Sequence, residues 1–207
     1  FKEGIKTLKL DRTASLGDGI LHLDEKEIDR YTSYFDSAKN ISKMKFIPAS
    51  GAASRMFKAL FEFIASDTPY DLSDNDFVNI FFQNIENFAF YNELGKCIES
   101  SGESFDRLLE AKEYSKILQF LLTDKGLNYG NLPKGLLLFH KYFQSNKTPF
   151  EEHLGEGILY AKSKNGKVSL HFTVSLEHIE EFRTLLRLIR SDYEAEYGVI
   201  LDISFSI

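Results

Sequence analysis

The sequence predicts an α/β domain on a parallel sheet, interrupted by a long helical segment, and three observations lead there. Lys45–Phe46–Ile47–Pro48 is a short apolar run that enters the small residues Ala49–Ser50–Gly51–Ala52–Ala53–Ser54, after which helical spacing resumes at Met56, Leu60, Phe63 and Ile64. Val168, Leu170, Phe172 and Val174 alternate as a strand. A helical stripe of Ile179, Phe182, Leu186, Ile189 and Tyr193 then leads to a second alternating run, Leu201, Ile203, Phe205 and Ile207. Strand, helix and strand in that order form a βαβ unit, which implies parallel strands and a right-handed crossover. From Ser73 to about Leu127 the spacing is helical almost throughout.

Taken along the chain, Ile28, Tyr31, Phe35 and Ala38 mark a helix over 24–39, with Asp24 and Glu27 placed as a reciprocal capping pair. The helical segment carries one stripe of Phe77, Ile80, Phe81, Ile85 and Phe88. Phe105, Leu108, Ile117, Leu118 and Leu121 belong to one or two more. Aromatic stripes at this spacing are read as core in preference to a ligand pocket. Thr148–Pro149–Phe150–Glu151 is a capping box with proline at the first helical position, so a helix is expected from Pro149 to about Ala161. Asn165–Gly166 turns the chain, Ser175 is expected to cap the next helix, and Gly198 to end it. The organisation expected is a helical lead-in over 1–44, an α/β core over 45–56 and 128–207, and a helical insertion over 57–127.

Composition narrows the function classes. The chain has 207 residues, 43% hydrophobic and 27% charged, with a formal charge of −6 and no long Lys/Arg cluster. It can bury a sizeable core, and it lacks the basic footprint of a nucleic-acid binder. One cysteine, Cys97, excludes an intramolecular disulfide framework, and no apolar run nears the roughly 20 residues a membrane helix needs. A cytoplasmic protein is expected, with neither membrane nor nucleic acid as partner. Phe1 in place of Met, and an apolar alternating end at Ile207, suggest a piece of a longer chain.

The chemistry centres on the small-residue loop. A strand that feeds such a loop and then a helix can turn backbone N–H groups and the positive helix end toward an anion. Ala49, Ser50, Gly51, Ala52, Ala53 and Ser54 would let a phosphate or base approach the backbone, and Gly51 can adopt positive φ. Ser54 and Arg55 are expected at the helix start, where a hydroxyl and a guanidinium reach phosphate oxygens. The loop fits neither of the two common glycine-rich phosphate-binding patterns. His140, His153, His171 and His178 have no metal-ligand spacing.

Ala49–Ser50–Gly51–Ala52–Ala53–Ser54–Arg55–Met56 resembles the A-A-G-x-G-T-R-M signature of the sugar nucleotidyltransferases. Pro133–Lys134–Gly135–Leu136 resembles their following P-K-x-L, and Thr148–Pro149–Phe150–Glu151–Glu152–His153–Leu154 their K-P-x-x-E-H-x-L helix entry. The nearest resemblance is to an uncharacterised family, catalogued as a domain of unknown function, that carries this signature. The likeness covers about 45–207 apart from the helical insertion. Ala53 stands where the second signature glycine belongs, Ser54 replaces threonine, and the stretch from arginine to lysine is far longer than usual.

The resemblance implies a three-layer, Rossmann-like nucleotidyltransferase fold, of which this chain holds the first half of a mainly parallel sheet with strands near 45–49, 168–174 and 199–207. It implies transfer of a nucleotidyl group from a nucleoside triphosphate to a sugar phosphate or similar phosphate, with release of pyrophosphate and with Mg²⁺. Arg55 would grip the β- and γ-phosphates, and Lys134 would stabilise the α-phosphate and the attacking group. In the resembling enzymes the metal-binding carboxylate follows a later strand, so the chain alone is expected to be inactive and Asp202 a poor candidate ligand. The alternative left open is a non-catalytic nucleotide-binding or protein-interaction module on the same fold.

Overall fold

The computed structural model describes residues 4, 7–38, 41–66 and 76–207. The expected helical start at Ser73 lies outside them. The chain divides into two compact units, 1–42 and 43–207.

In the first unit, strands β1 (Ser15–Leu16) and β2 (Gly19–Ile20) pair through a turn with positive φ at Gly17 and Gly19. Helix α1 (Glu25–Ser37) opens on the expected capping box. The Glu27 N–H donates to Asp24 Oδ1 at 2.8 Å and the Asp24 N–H to Glu27 Oε2 at 3.2 Å. Such a cap contributes about 1 kcal/mol.

The second unit starts with β3 (Met44–Pro48) and passes through five helices: α2 (Lys58–Ala65), α3 (Phe77–Gln83), α4 (Tyr91–Ser100), α5 (Phe105–Glu110) and α6 (Tyr114–Leu122). A short hairpin of β4 (His140–Lys141) and β5 (Asn146–Lys147) precedes α7 (Pro149–Tyr160), β6 (Lys167–Thr173), α8 (Ile179–Tyr197) and β7 (Ile200–Ser206). The sheet has the order β3-β6-β7, all parallel. This is an α/β architecture. Pro48 is tolerated because β3 lies at a sheet edge, where a missing N–H breaks no ladder on the outer side.

Register explains which side of the sheet is covered. Ile47 pairs with Phe172, Leu201 with Val168, Ile203 with Leu170 and Phe205 with Phe172, so these side chains share one apolar face. Against that face pack Phe150, Leu154 and Ile158 of α7 and Phe182 and Leu186 of α8. Gly157 permits the close approach of α7: a Cβ there would stand 2.6 Å from Leu170 Cδ2. The opposite face carries Ser169, His171, Thr173, Asp202, Ser204 and Ser206, with Met44 and Phe46 about 60% exposed. Both helices therefore cover the same face of the sheet.

The helices α2 to α6 build a second core. Phe81, Phe82, Phe90, Leu94, Ile98, Phe105, Ile117 and Leu121 are buried in it, and the Phe82 and Tyr114 rings stack at 3.8 Å. Phe81, Ile85 and Phe88 of the first stripe, and the residues of the later ones, are thus packing residues, whereas Phe77 and Ile80 are 52% and 45% exposed. Two local expectations are corrected. Helix α2 begins at Lys58, after a turn over 54–57, so Ser54 and Arg55 precede the helix and do not open it. Ser175 leads into a 3-10 turn (Leu176–His178), and its side chain makes no capping bond.

Candidate functional site

At the carboxyl end of β3 the Ala49 N–H still donates to Thr173 O at 2.8 Å, extending the sheet by one bond before the chain leaves it. Ala49 packs on the sheet core, whereas Ala53 and Phe57 are buried in the helical core. The small-residue loop is therefore the crossing between two cores. The second motif makes the same crossing in reverse. Leu137 is buried among the helices, Leu136 packs on the sheet core, and Pro133–Lys134 lies alongside the loop. The Lys134 N–H donates to Gly51 O at 2.9 Å, and Ala52 forms an isolated antiparallel bridge with Pro133.

Tyr129 secures this arrangement. Its ring packs among the helices near Phe57 and Phe90, and its hydroxyl accepts the Leu138 N–H at 3.1 Å, closing the loop that carries Lys134. Burial pushes its phenol up to about 12, so it stays neutral across the working range of pH. Gly135 lies so close to α8 that a Cβ would stand 3.0 Å from Phe182 Cζ.

A cleft of about 170 Å³ opens where these segments meet. Pro48, Ala49, Gly51, Lys134, Gly135, Pro149, Phe150, His153 and Phe172 line it, at the carboxyl ends of β3 and β6 and the first turn of α7. All three sequence motifs contribute to it. The N–H groups of Ser50 and Gly51 have no acceptor among the described residues, which suits an anion. Gly51 is not at positive φ; what it contributes is the missing Cβ, with open space where one would stand. Ser50, Ala52, Ser54 and Arg55 are exposed along the loop but do not line the cleft. Ala53 is wholly buried on the helical side, so the methyl that replaces the signature glycine points into packing and not toward a ligand.

His153 is the residue that sequence reasoning set aside. Its Nδ1 lies 3.1 Å from Glu156 Oε2, and Lys45 on β3 pairs with the same carboxylate and stands 3.4 Å from the ring nitrogen. Nδ1 donates to the Glu156 carboxylate when it carries the proton and accepts from the Lys45 ammonium when it does not; Nε2 is free of both. Lys45, and then His153, hold the Glu156 carboxyl below its usual range. The His-x-x-Glu spacing on a predicted helix was the available signal.

Among the described residues no group of three or more His, Cys, Asp or Glu side chains is arranged to hold a metal. The lining of the cleft contains no carboxylate, so its own residues do not fit a resident Mg²⁺. Asp202 lies on the polar sheet face, bound to Lys167 at 2.9 Å and to the Ser169 hydroxyl at 3.1 Å, interactions that keep its carboxyl below the usual range. No described helix is long and apolar enough to cross a membrane.

Comparison with known proteins finds no match among curated proteins and none among solved structures. A family model, however, spans the chain from end to end over residues 1–207, and the chain belongs to that family, DUF4301, described as a domain of unknown function.

Proposed function

We propose that residues 43–207 form the phosphate-gripping part of a nucleotidyltransferase, which moves a nucleotidyl group from a nucleoside triphosphate to a sugar phosphate or similar phosphate. One observation carries this reading: the small-residue loop and Lys134, some 80 residues apart in sequence, are bonded main chain to main chain and line one cleft beyond the strands' carboxyl ends. In open parallel sheets that is where ligands bind. An acceptor phosphate oxygen attacks the α-phosphorus, the bond from that phosphorus to the bridging oxygen breaks, and pyrophosphate leaves with the electron pair. Negative charge grows on the phosphoryl oxygens, so fixed donors suffice and no covalent nucleophile is needed. Lys134 and the Gly51 N–H group serve the transferred phosphate, and His153 lies in the wall beside them. Arg55, exposed at the loop's end, grips the β- and γ-phosphates. Mg²⁺ belongs to this reading as an ion that arrives with the triphosphate. The reading carries with it a three-layer, Rossmann-like fold, of which these residues supply the sheet and one helical layer.

The cleft's lack of a carboxylate favours one rival, a nucleotide-binding module without catalysis. Thermal melts with each nucleoside triphosphate and Mg²⁺, paired with a pyrophosphate-release assay, separate the two. A ligand at 100 times its dissociation constant stabilises the native state by about 2.7 kcal/mol. The expected result is a raised melting temperature in the native chain and none in Lys134→Ala. No shift with any triphosphate at millimolar concentration would overturn nucleotide binding. A shift accompanied by pyrophosphate release would establish the enzyme, and a shift without release would favour the module.

A further inference from the structure

The cleft at the carboxyl ends of β3 and β6 measures about 170 Å³, below the roughly 300 Å³ at which pockets for drug-sized ligands begin. That is room for one tetrahedral oxyanion and not for a whole nucleotide. Pro48, Ala49, Pro149, Phe150 and Phe172 make its walls largely apolar, and of the lining residues only Lys134 and His153 carry ionisable side chains. Between apolar walls a charge is screened less than at an open surface, so each of these two counts for more.

The groups that hold His153 lie outside the lining. On its own helix Glu156 Oε2 is 3.1 Å from Nδ1, and Lys45 of β3 pairs with that carboxylate and stands 3.4 Å from the same nitrogen. Phe172 of β6 flanks the ring, with centroids 6.5 Å apart, and brings no charge. The other acids of that stretch of α7 are engaged elsewhere, Glu151 in the Thr148 cap and Glu152 with the Tyr142 hydroxyl. Lys45, and then His153, hold the Glu156 carboxyl below its usual range, so it stays charged at neutral pH. Lys45 and Glu156 therefore cancel, and the cleft presents the charge of Lys134 plus that of the imidazole. Histidine is the side chain whose ordinary titration falls between about pH 5 and 8. Protonation adds a positive charge beside Lys134 while the Lys45–Glu156 pair keeps its hold on Nδ1, which turns from accepting to donating. Charge changes and the ring stays in place.

We infer that this cleft is a pH-gated site for one tetrahedral oxyanion, with His153 as its proton-dependent ligand and Lys45 and Glu156 as positioning residues. Only the identity of that oxyanion as a phosphoryl group of the triphosphate rests on the nucleotidyl-transfer reading; the binding of a free oxyanion is measured apart from it. Inorganic sulfate is the probe, because it remains a dianion throughout the range in which histidine titrates, and any pH dependence is then the protein's. The full chain is titrated with sulfate at constant ionic strength, from about pH 5.5 to about pH 8, and followed by the Gly51 amide in NMR spectra. One added charge acting on a dianion near contact predicts binding about tenfold tighter at the acid end. His153→Gln should bind weakly at every pH, and His153→Lys, permanently charged, tightly at every pH. A merely structural histidine would not give two flat profiles at opposite levels. Lys134→Ala should bind more weakly throughout and keep the dependence. Glu156→Gln leaves the Lys45 ammonium uncompensated and should tighten binding at about pH 8, where loss of structure would weaken it. A flat native profile, a dependence that survives in His153→Gln, or no sulfate binding at millimolar concentration would overturn the site. Displacement of a bound triphosphate by sulfate would identify the ligand as a phosphoryl group of the nucleotide. Sulfate binding that depends on His153 in a protein indifferent to every triphosphate would sustain the site for a free oxyanion and sink the nucleotide reading.

Discussion

Replacing Ala53 by glycine restores the residue of the resembling signature, and the structure says that the restoration should harm the protein. The Ala53 methyl is wholly buried beside the helical core that contains Phe57 and Leu60. Removing a buried methyl forfeits about 0.8 kcal/mol of transfer free energy. Ala53 is not among the residues at positive φ, so alanine is unstrained there. Glycine then adds unfolded-state freedom worth about 0.4–1 kcal/mol. The two contributions sum to about 1.5 kcal/mol. In a domain of this size that corresponds to a fall of roughly 3–6 °C in melting temperature. Urea unfolding gives the free energy, and titration with a triphosphate gives the affinity, expected to change less than twofold. Unchanged stability together with a severalfold gain in affinity would show that the methyl faces the ligand, and the assignment of Ala53 to packing would fail.

Gly157→Ala sets about 1 kcal/mol of helix propensity gained against the roughly 1–3 kcal/mol that overpacking costs, because its Cβ would meet Leu170 Cδ2 at 2.6 Å and Cγ at 3.0 Å. Net destabilisation of about 1 kcal/mol is expected from urea midpoints, and a stabilised variant would refute the close packing of α7 on β6. The Glu156 carboxyl is held below its usual range by Lys45 and then His153, so its contribution is complete above the unfolded value and is lost as pH falls through the lower folded value. Urea midpoints should be flat from about pH 7 to 5 and should drop below about pH 4. Glu156→Gln should drop less steeply, and parallel profiles for the two proteins would discount the Lys45–Glu156–His153 cluster.

Much of the fold is legible in the sequence because its signals are local. The Asp24 and Thr148 caps, the Asn165–Gly166 turn and the left-handed Gly198 each act within a few residues, and all are found where the sequence placed them. The strands at 167–173 and 200–206 follow from period-two alternation, and that at 44–48 from a short apolar run that enters a loop of small residues. The hairpin at 140–147 escaped notice, since strands of two residues are too short to show a period.

Residues and their order thus determined the α/β class, the helix boundaries near strong caps, and the three segments that converge on the cleft. Tertiary structure alone decided which side chains meet there. Lys45 and His153 are 108 positions apart, and Lys134 reaches Gly51 only because the chain leaves the sheet core for the helical core at Ala53 and returns through Leu136. It also decided that both helices cover one face of the sheet and that Ala53 is buried in the helical core, outside the lining of the cleft. Such facts depend on how two cores pack across long sequence separations. Caps and periodicities act over a few residues, and they contain no information about that packing.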